Sequence, residues 1–145
     1  MAADPTRLKE YECFKNLTDE QLEAVAQFAS EGQFQSGHTF FEEGNKANQI
    51  FLLSAGEVEV LYSIGEEGPS RVDKVQSGEI IGCSALIEPY IYTSTTRSLT
   101  EVEVMVIEAV ALRQLMVEDC SLGFSIQKDL IRMLLDRIID LRLGV

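Results

Sequence analysis

Cysteine is scarce in this chain and histidine scarcer: Cys13, Cys83 and Cys120 are the only thiols among 145 residues, and His38 the only imidazole. Three widely spaced thiols, odd in number, cannot form a disulfide framework or a zinc ribbon, so they read as reduced thiols of a cytoplasmic protein. One histidine cannot build a cupin-type metal centre, which takes two or three with a carboxylate. It also leaves no credible Ser–His–Asp or Cys–His arrangement. The chain therefore reads as no enzyme, with no metal or cofactor required.

Basic residues are few as well, 12 Lys and Arg against 24 Asp and Glu, for a formal net charge of −12. Such a surface is repelled by nucleic acid and by anionic lipid, which excludes both as partners of this chain alone. No apolar run reaches the roughly 20 residues of a membrane helix. The charged start MAADPTRLKEYE lacks the apolar core of a signal peptide. Repeats, low-complexity tracts and linkers are missing too. What remains is a single domain over 1–145, at 46% hydrophobic and 25% charged residues, large enough to bury a core.

Thr18-Asp19-Glu20-Gln21 has the spacing of a capping box, and Leu22, Val25, Ala26 and Ala29 then share one helical face. The pattern predicts an N-terminal helical segment over 1–32, with its helix from Thr18 to about Ser30. Residues 33–107 change texture. Short alternating runs such as Gln49–Leu53 and Glu57–Tyr62 are punctuated by Gly37, Gly44, Gly56, Gly65, Gly68 and Gly78. That predicts a β-roll of short strands. The last segment, 108–145, reads as two helices, Ala109–Glu118 and Leu122–Leu143, hinged at Asp119-Cys120-Ser121.

Inside the strand-rich region, Gly78-Glu79-Ile80-Ile81-Gly82-Cys83-Ser84-Ala85-Leu86 stands out. It is too small and polar for a core strand and reads as one turn of helix. The N–H groups at the start of such a turn, with its dipole, favour an anion, and small residues let a ligand approach the backbone. Gly82 and Ala85 supply the smallness; Ser84 adds a hydroxyl.

This stretch resembles the phosphate-binding cassette of cyclic-nucleotide-binding domains, as found in catabolite-activator-type regulators, kinase regulatory subunits and gated channels. Gly37-x-x-Phe40, Gly44-Asn45-x-Ala47, Ile50–Leu53 and Gly56-x-Val58-x-Val60 resemble the same family's framework, and the likeness spans about Leu17 to Leu143. The resemblance implies a mainly β fold with flanking helices, an eight-stranded double-stranded β-helix or jelly roll between an N-terminal helix and a long C-terminal helix. It implies a regulatory module for cyclic AMP, cyclic GMP or another small anion. It also implies that the motion of the last helix, about the hinge, reports on the ligand. The alternative is a ligand-free scaffold using the same roll.

The cassette departs from the family pattern at two positions. Where the family has a glutamate for the ribose hydroxyl, this chain has Cys83; where it has an arginine for the phosphate, this chain has Tyr92. Hydrogen bonds to charged groups contribute roughly 1.5–3 kcal/mol each, so losing both weakens a cyclic nucleotide by about two to four decades. The expected ligand-binding residues are Gly82, Cys83, Ser84, Ala85, Leu86, Tyr92, Thr93, Ser94, Thr95 and Arg97. Alternation along Thr93–Thr96 sends two of the four hydroxyls inward. Arg97 either swings in to a phosphate or stays outside, paired with a carboxylate such as Glu101. Cys83 reads as a small residue filling the glutamate's space in preference to a redox thiol.

In the last helix, Phe124, Ile131, Ile138 and Val145 recur every seven residues, with Gln127, Leu134 and Leu141 in the companion register. Isoleucine and leucine so placed favour a parallel two-stranded coil. The expected partner is a second copy, with Phe124, Ile131, Leu134, Ile138 and Leu141 at the interface. Ile126, Leu130 and Met133 form a second stripe able to pack on the roll. The resemblance leads us to expect sensor and dimerisation parts in these residues, and not the DNA-reading helix-turn-helix that follows in catabolite-activator-type proteins.

Overall fold

The computed structural model describes residues 3–63 and 69–144. Gly65, Gly68 and Val145, used above, lie outside the described residues.

A short helix α1 (Pro5–Leu8) precedes α2 (Asp19–Ala26). The Gln21 amide donates to the Thr18 hydroxyl at 3.2 Å, and Thr18 N–H donates to Gln21 Oε1 at 3.0 Å. This reciprocal pair starts α2 where the sequence predicted. The helix ends at Ala26, short of Ser30, because β1 (Ala29–Phe34) opens at Ala29 and not at Gln33. The segment ASEGQF has no apolar alternation; pairing with β8 (Val102–Glu108), from Ala29↔Ile107 to Phe34↔Val102, makes it a strand.

Six further strands follow the alternating runs: β2 (Thr39–Phe41), β3 (Gln49–Ala55), β4 (Glu57–Ser63), β5 (Pro69–Gln76), β6 (Ile80–Ile81) and β7 (Thr95–Ser98). The eight strands among the described residues form two antiparallel sheets, ordered β1-β8-β3-β6 and β2-β7-β4-β5. This is the jelly roll the sequence predicted. Ile50, Leu52, Leu53, Val58, Met105 and Ile107 are fully buried between the sheets and the helices.

Two helices close one end, α3 (Ala109–Glu118) and α4 (Cys120–Leu143). The hinge is the single residue Asp119, whose carboxylate accepts from Leu122 N–H at 3.1 Å and caps α4. Cys120 and Ser121 therefore belong to the helix, a correction to the three-residue hinge. A side chain at Gly123 would come within 2.4 Å of the Met116 carbonyl, so glycine there lets α4 cross α3 closely. Leu122, Ile126 and Leu130 bury the inner face of α4, while Phe124, Ile131, Ile138 and Leu141 are exposed. Leu134 departs from the expected interface: it packs half-buried against the roll. No helix among the described residues is long and apolar enough to cross a membrane.

Candidate ligand-binding site

The cassette sits where β6 ends against β3. Gly82 takes a left-handed conformation, φ 84°, and a side chain there would press at 3.3 Å on Gln49 O, Phe41 and Tyr92 at once. Only glycine combines that φ with that space. The next residues, Cys83–Leu86, form one 3-10 turn. Its first internal bond runs from Ala85 N–H to Gly82 O at 3.0 Å. The N–H groups of Cys83 and Ser84 lie ahead of that bond, at the start of the turn where donors have no partner within the helix. Ala85 is wholly buried, and its carbonyl accepts from the Arg113 guanidinium at 2.6 Å. The same guanidinium lies 3.9 Å over the Tyr90 ring, tying the cassette to α3.

Beyond the turn the chain is stitched back onto the loop before β3. Ala47 N–H donates to Tyr90 O at 2.8 Å and Tyr92 N–H to Asn45 O at 2.9 Å. Tyr92 points into the fold and away from the hollow beside the cassette. Its ring stacks on Phe41 at 3.8 Å, and its hydroxyl bonds both the N–H and the carbonyl of Gln49. Burial pushes its phenol up, partly opposed by hydrogen bonding to the Gln49 and Asn48 backbone.

A cavity of about 350 Å³ opens between the cassette, the second sheet and α4. That volume falls within the roughly 300–1,000 Å³ of small-molecule sites. Phe41, Val60 and Val75 line its apolar floor, and Gly82, Cys83 and Ser84 the wall at the start of the cassette turn. Thr93, Ser94 and Thr96 line the hydroxyl side. Thr96 is completely buried, and its Oγ1 has no hydrogen-bond partner. A buried, unsatisfied hydroxyl costs about 1–3 kcal/mol. It therefore marks a place where a polar guest gains a bond the protein does not make for itself.

Of the ten residues expected to bind ligand, the structure brings Gly82, Cys83, Ser84, Thr93 and Ser94 together at this cavity and places the other five elsewhere. Ala85 and Leu86 turn inward and away, Tyr92 braces β3, and Thr95 Oγ1 accepts from Glu43 N–H at 3.0 Å. Arg97 points out of the roll and pairs with Glu59 at 2.9 Å, where Glu101 was expected. Burial pushes the Cys83 thiol up, more than the nearby Arg137 charge pulls it down. A protonated thiol fits the space-filling reading.

Three residues of α4 close the cavity: Met133, expected only to pack on the roll, Leu134, expected at a dimer interface, and Arg137, for which the sequence suggested no role. Arg137 pairs with Asp73 on β5, and with Glu79, just before β6, at 2.6 Å. The signal was present. The inner stripe Ile126, Leu130, Met133 continues by one more helical step to position 137, where a charge interrupts an apolar row.

A second hollow, about 390 Å³, lies against Arg7, Glu31, Gln33, Ser54 and Glu103. Its polar groups already satisfy one another, Arg7 with Glu31 and Gln33 with Glu103. Among the described residues, the cassette cavity borders a buried hydroxyl without a partner, that of Thr96.

The cyclic nucleotide-binding domain family matches this chain over residues 31–119. The cGMP-dependent protein kinase egl-4 of Caenorhabditis elegans is 26% identical over 82 residues, 56% of this chain and 10% of that protein. This chain thus corresponds to a small part of that relative. Among solved structures, a protein of Geobacter metallireducens named for cyclic nucleotide binding superposes with a TM-score of 0.85 at 37% identity, covering 94% of this chain and 98% of that one. The regulatory domain of Toxoplasma gondii PKA, solved with cAMP, shares the fold at a TM-score of 0.76 and 20% identity, covering 91% of this chain and 48% of that chain.

Proposed function

Because this chain belongs to the cyclic nucleotide-binding domain family, we propose that it is a regulatory module sensing a small anion of the cyclic-nucleotide class at the cassette cavity. The observation that carries this reading is the Thr96 hydroxyl, buried and unpartnered on the wall of a cavity that begins at the cassette turn. A cyclic phosphate against the Cys83 and Ser84 amides lets Thr96 and Ser94 donate, while the apolar floor takes the base. Both rings of cyclic AMP and cyclic GMP fit that description.

Binding is weak in this reading. Cys83 cannot accept from a ribose hydroxyl as a carboxylate does, and Tyr92 is committed to Gln49. Two routes lead from the cavity to α4. One is direct, through Met133, Leu134 and Arg137; the other runs from the Ala85 carbonyl through Arg113 to α3. The exposed row Phe124, Ile131, Ile138 and Leu141 supports a homodimer as the body on which a change of α4 acts.

Thermal unfolding with millimolar cyclic AMP, cyclic GMP and a panel of phosphorylated metabolites tests the reading. A ligand that binds only the folded state stabilises it by mass action, about 2.7 kcal/mol at a hundredfold excess over Kd. The expected result is a raised midpoint with at least one cyclic nucleotide. A flat panel leaves the roll as a ligand-free scaffold.

A further inference from the structure

Arg137 occupies an odd position. It lies on the inner stripe of α4, yet both guanidinium arms are taken by carboxylates from different parts of the roll, Asp73 on β5 and Glu79 in the turn before β6. All three side chains stay roughly two-fifths exposed. Pairs so wetted by solvent hold weakly and exchange readily. The guanidinium also lies close enough to the cassette for its charge to act on the Cys83 thiol.

Among the described residues, Arg137 is the one cation lining the cavity. The neighbouring candidate, Arg97, is spent outside on Glu59. A phosphate at the start of the cassette turn therefore meets two amides, the Thr96 hydroxyl, and one guanidinium already engaged by competitors.

We infer that Arg137 is the phosphate's counter-ion, delivered by α4 instead of the strand after the cassette, and that Asp73 and Glu79 hold it until an anion replaces them. The inference rests on the sensing function proposed above. A guanidinium fits two phosphate oxygens in a planar fork, and that contact strengthens where water is excluded. The displaced carboxylates return to solvent at little cost. Glu88 also lines the cavity, so three carboxylates border the site around one arginine. That balance repels a dianion more than a monoanion. The site thus selects a cyclic phosphodiester, with one negative charge, over the corresponding phosphomonoester with nearly two.

Titration calorimetry of the full chain decides this, with cyclic AMP, cyclic GMP and 5′-AMP as probes. The proteins are the wild type, Arg137→Gln and the double variant Asp73→Asn/Glu79→Gln, which leaves the arginine in place. Arg137→Gln should weaken the cyclic nucleotide at least tenfold and flatten the salt dependence of what remains. The double variant should tighten it several-fold and narrow the preference over 5′-AMP. Arg137→Gln binding as tightly as wild type, or a double variant without effect on a wild type that binds, shows only a structural ion pair and overturns the inference while leaving the sensor reading intact. Binding by the double variant alone supports the inference, since it means the carboxylates hold the site shut. Absence of binding by every protein removes both proposals. Circular dichroism confirms that each variant folds.

Discussion

Tyr92 and Gln49 are joined by a two-way bridge: the phenol donates to the Gln49 carbonyl at 2.6 Å and accepts from its N–H at 3.1 Å. The bridge fixes the start of β3 against the loop that leads from the cassette to β7. It commits to the fold a position at which the resemblance had led us to expect a phosphate-binding arginine. The site is buried and stacked on Phe41, so Tyr92→Arg would place a guanidinium among aromatic rings with its natural partners gone. A buried charge without a partner costs several kcal/mol. Restoring the family pair as Cys83→Glu with Tyr92→Arg is therefore expected to unfold the domain before it creates affinity.

Tyr92→Phe isolates the bridge. The ring and its stacking stay, but the Gln49 backbone loses two bonds at the edge of the core. Urea unfolding should show a loss of about 1–3 kcal/mol. Affinity for a cyclic nucleotide should change less than twofold. A stable variant that has lost affinity would return Tyr92 to the ligand site.

Thr96→Val tests the open hydroxyl, with opposite signs for two readouts. The exchange keeps the shape and removes a buried group that bonds nothing. The unliganded protein should gain about 1 kcal/mol of stability, seen as a higher melting midpoint. Affinity for a cyclic nucleotide should fall by about tenfold or less, the worth of one modest hydrogen bond. Loss of stability without ligand would mean that the hydroxyl serves the fold.

What could be read in the sequence was local. Thr18 with Gln21 announced the start of α2, and Ala109–Glu118 read as a helix with the bounds it has, because capping and periodicity act over a few residues. The glycine at 82 gave away the cassette, since no other residue fits its conformation. What escaped depended on distant neighbours. Ala29–Phe34 becomes a strand only because β8 offers a partner edge. The resemblance put Tyr92 at the ligand, and nothing local announced that its ring would stack on Phe41 instead. Arg137 was one step past a stripe correctly seen, and its meaning came only with Asp73 and Glu79 brought beside it.

Stability should depend on alkaline pH through Cys13. Burial, with smaller contributions from Cys83, Asp129 and Glu12, pushes its thiol up to about 12. The unfolded thiol titrates near its ordinary value of about 8.5. Between these limits the unfolded chain binds fewer protons than the folded one, so stability falls as pH rises. The contribution is whole below about pH 8.5 and declines by up to about 1.4 kcal/mol per pH unit above it. Urea unfolding from pH 8 to 10.5 should therefore slope more steeply for wild type than for Cys13→Ala. Parallel slopes would show that the thiol ionises freely in the fold.

The two faces of α4 make separable demands, and this separates a dimer seam from a lid. At about 100° per residue, Ile126, Leu130, Met133 and Arg137 cluster on one side, while Phe124, Ile131, Leu135 and Ile138 fall roughly opposite. The first group meets the roll; the second is exposed along with Leu141. A second copy apposing its own stripe would bury both rows, at about 1.5–3 kcal/mol for each large side chain fully covered. Sedimentation at micromolar concentration should give twice the 16.2 kDa protomer mass. Ile131→Glu with Ile138→Glu should raise the dissociation constant at least a hundredfold, about 2.7 kcal/mol, and leave one protomer's mass. Leu134→Ala, on the cavity side, should keep the dimer and alter ligand affinity instead. A wild type that sediments as one protomer sinks the seam, because those side chains would then face water in solution as they do here.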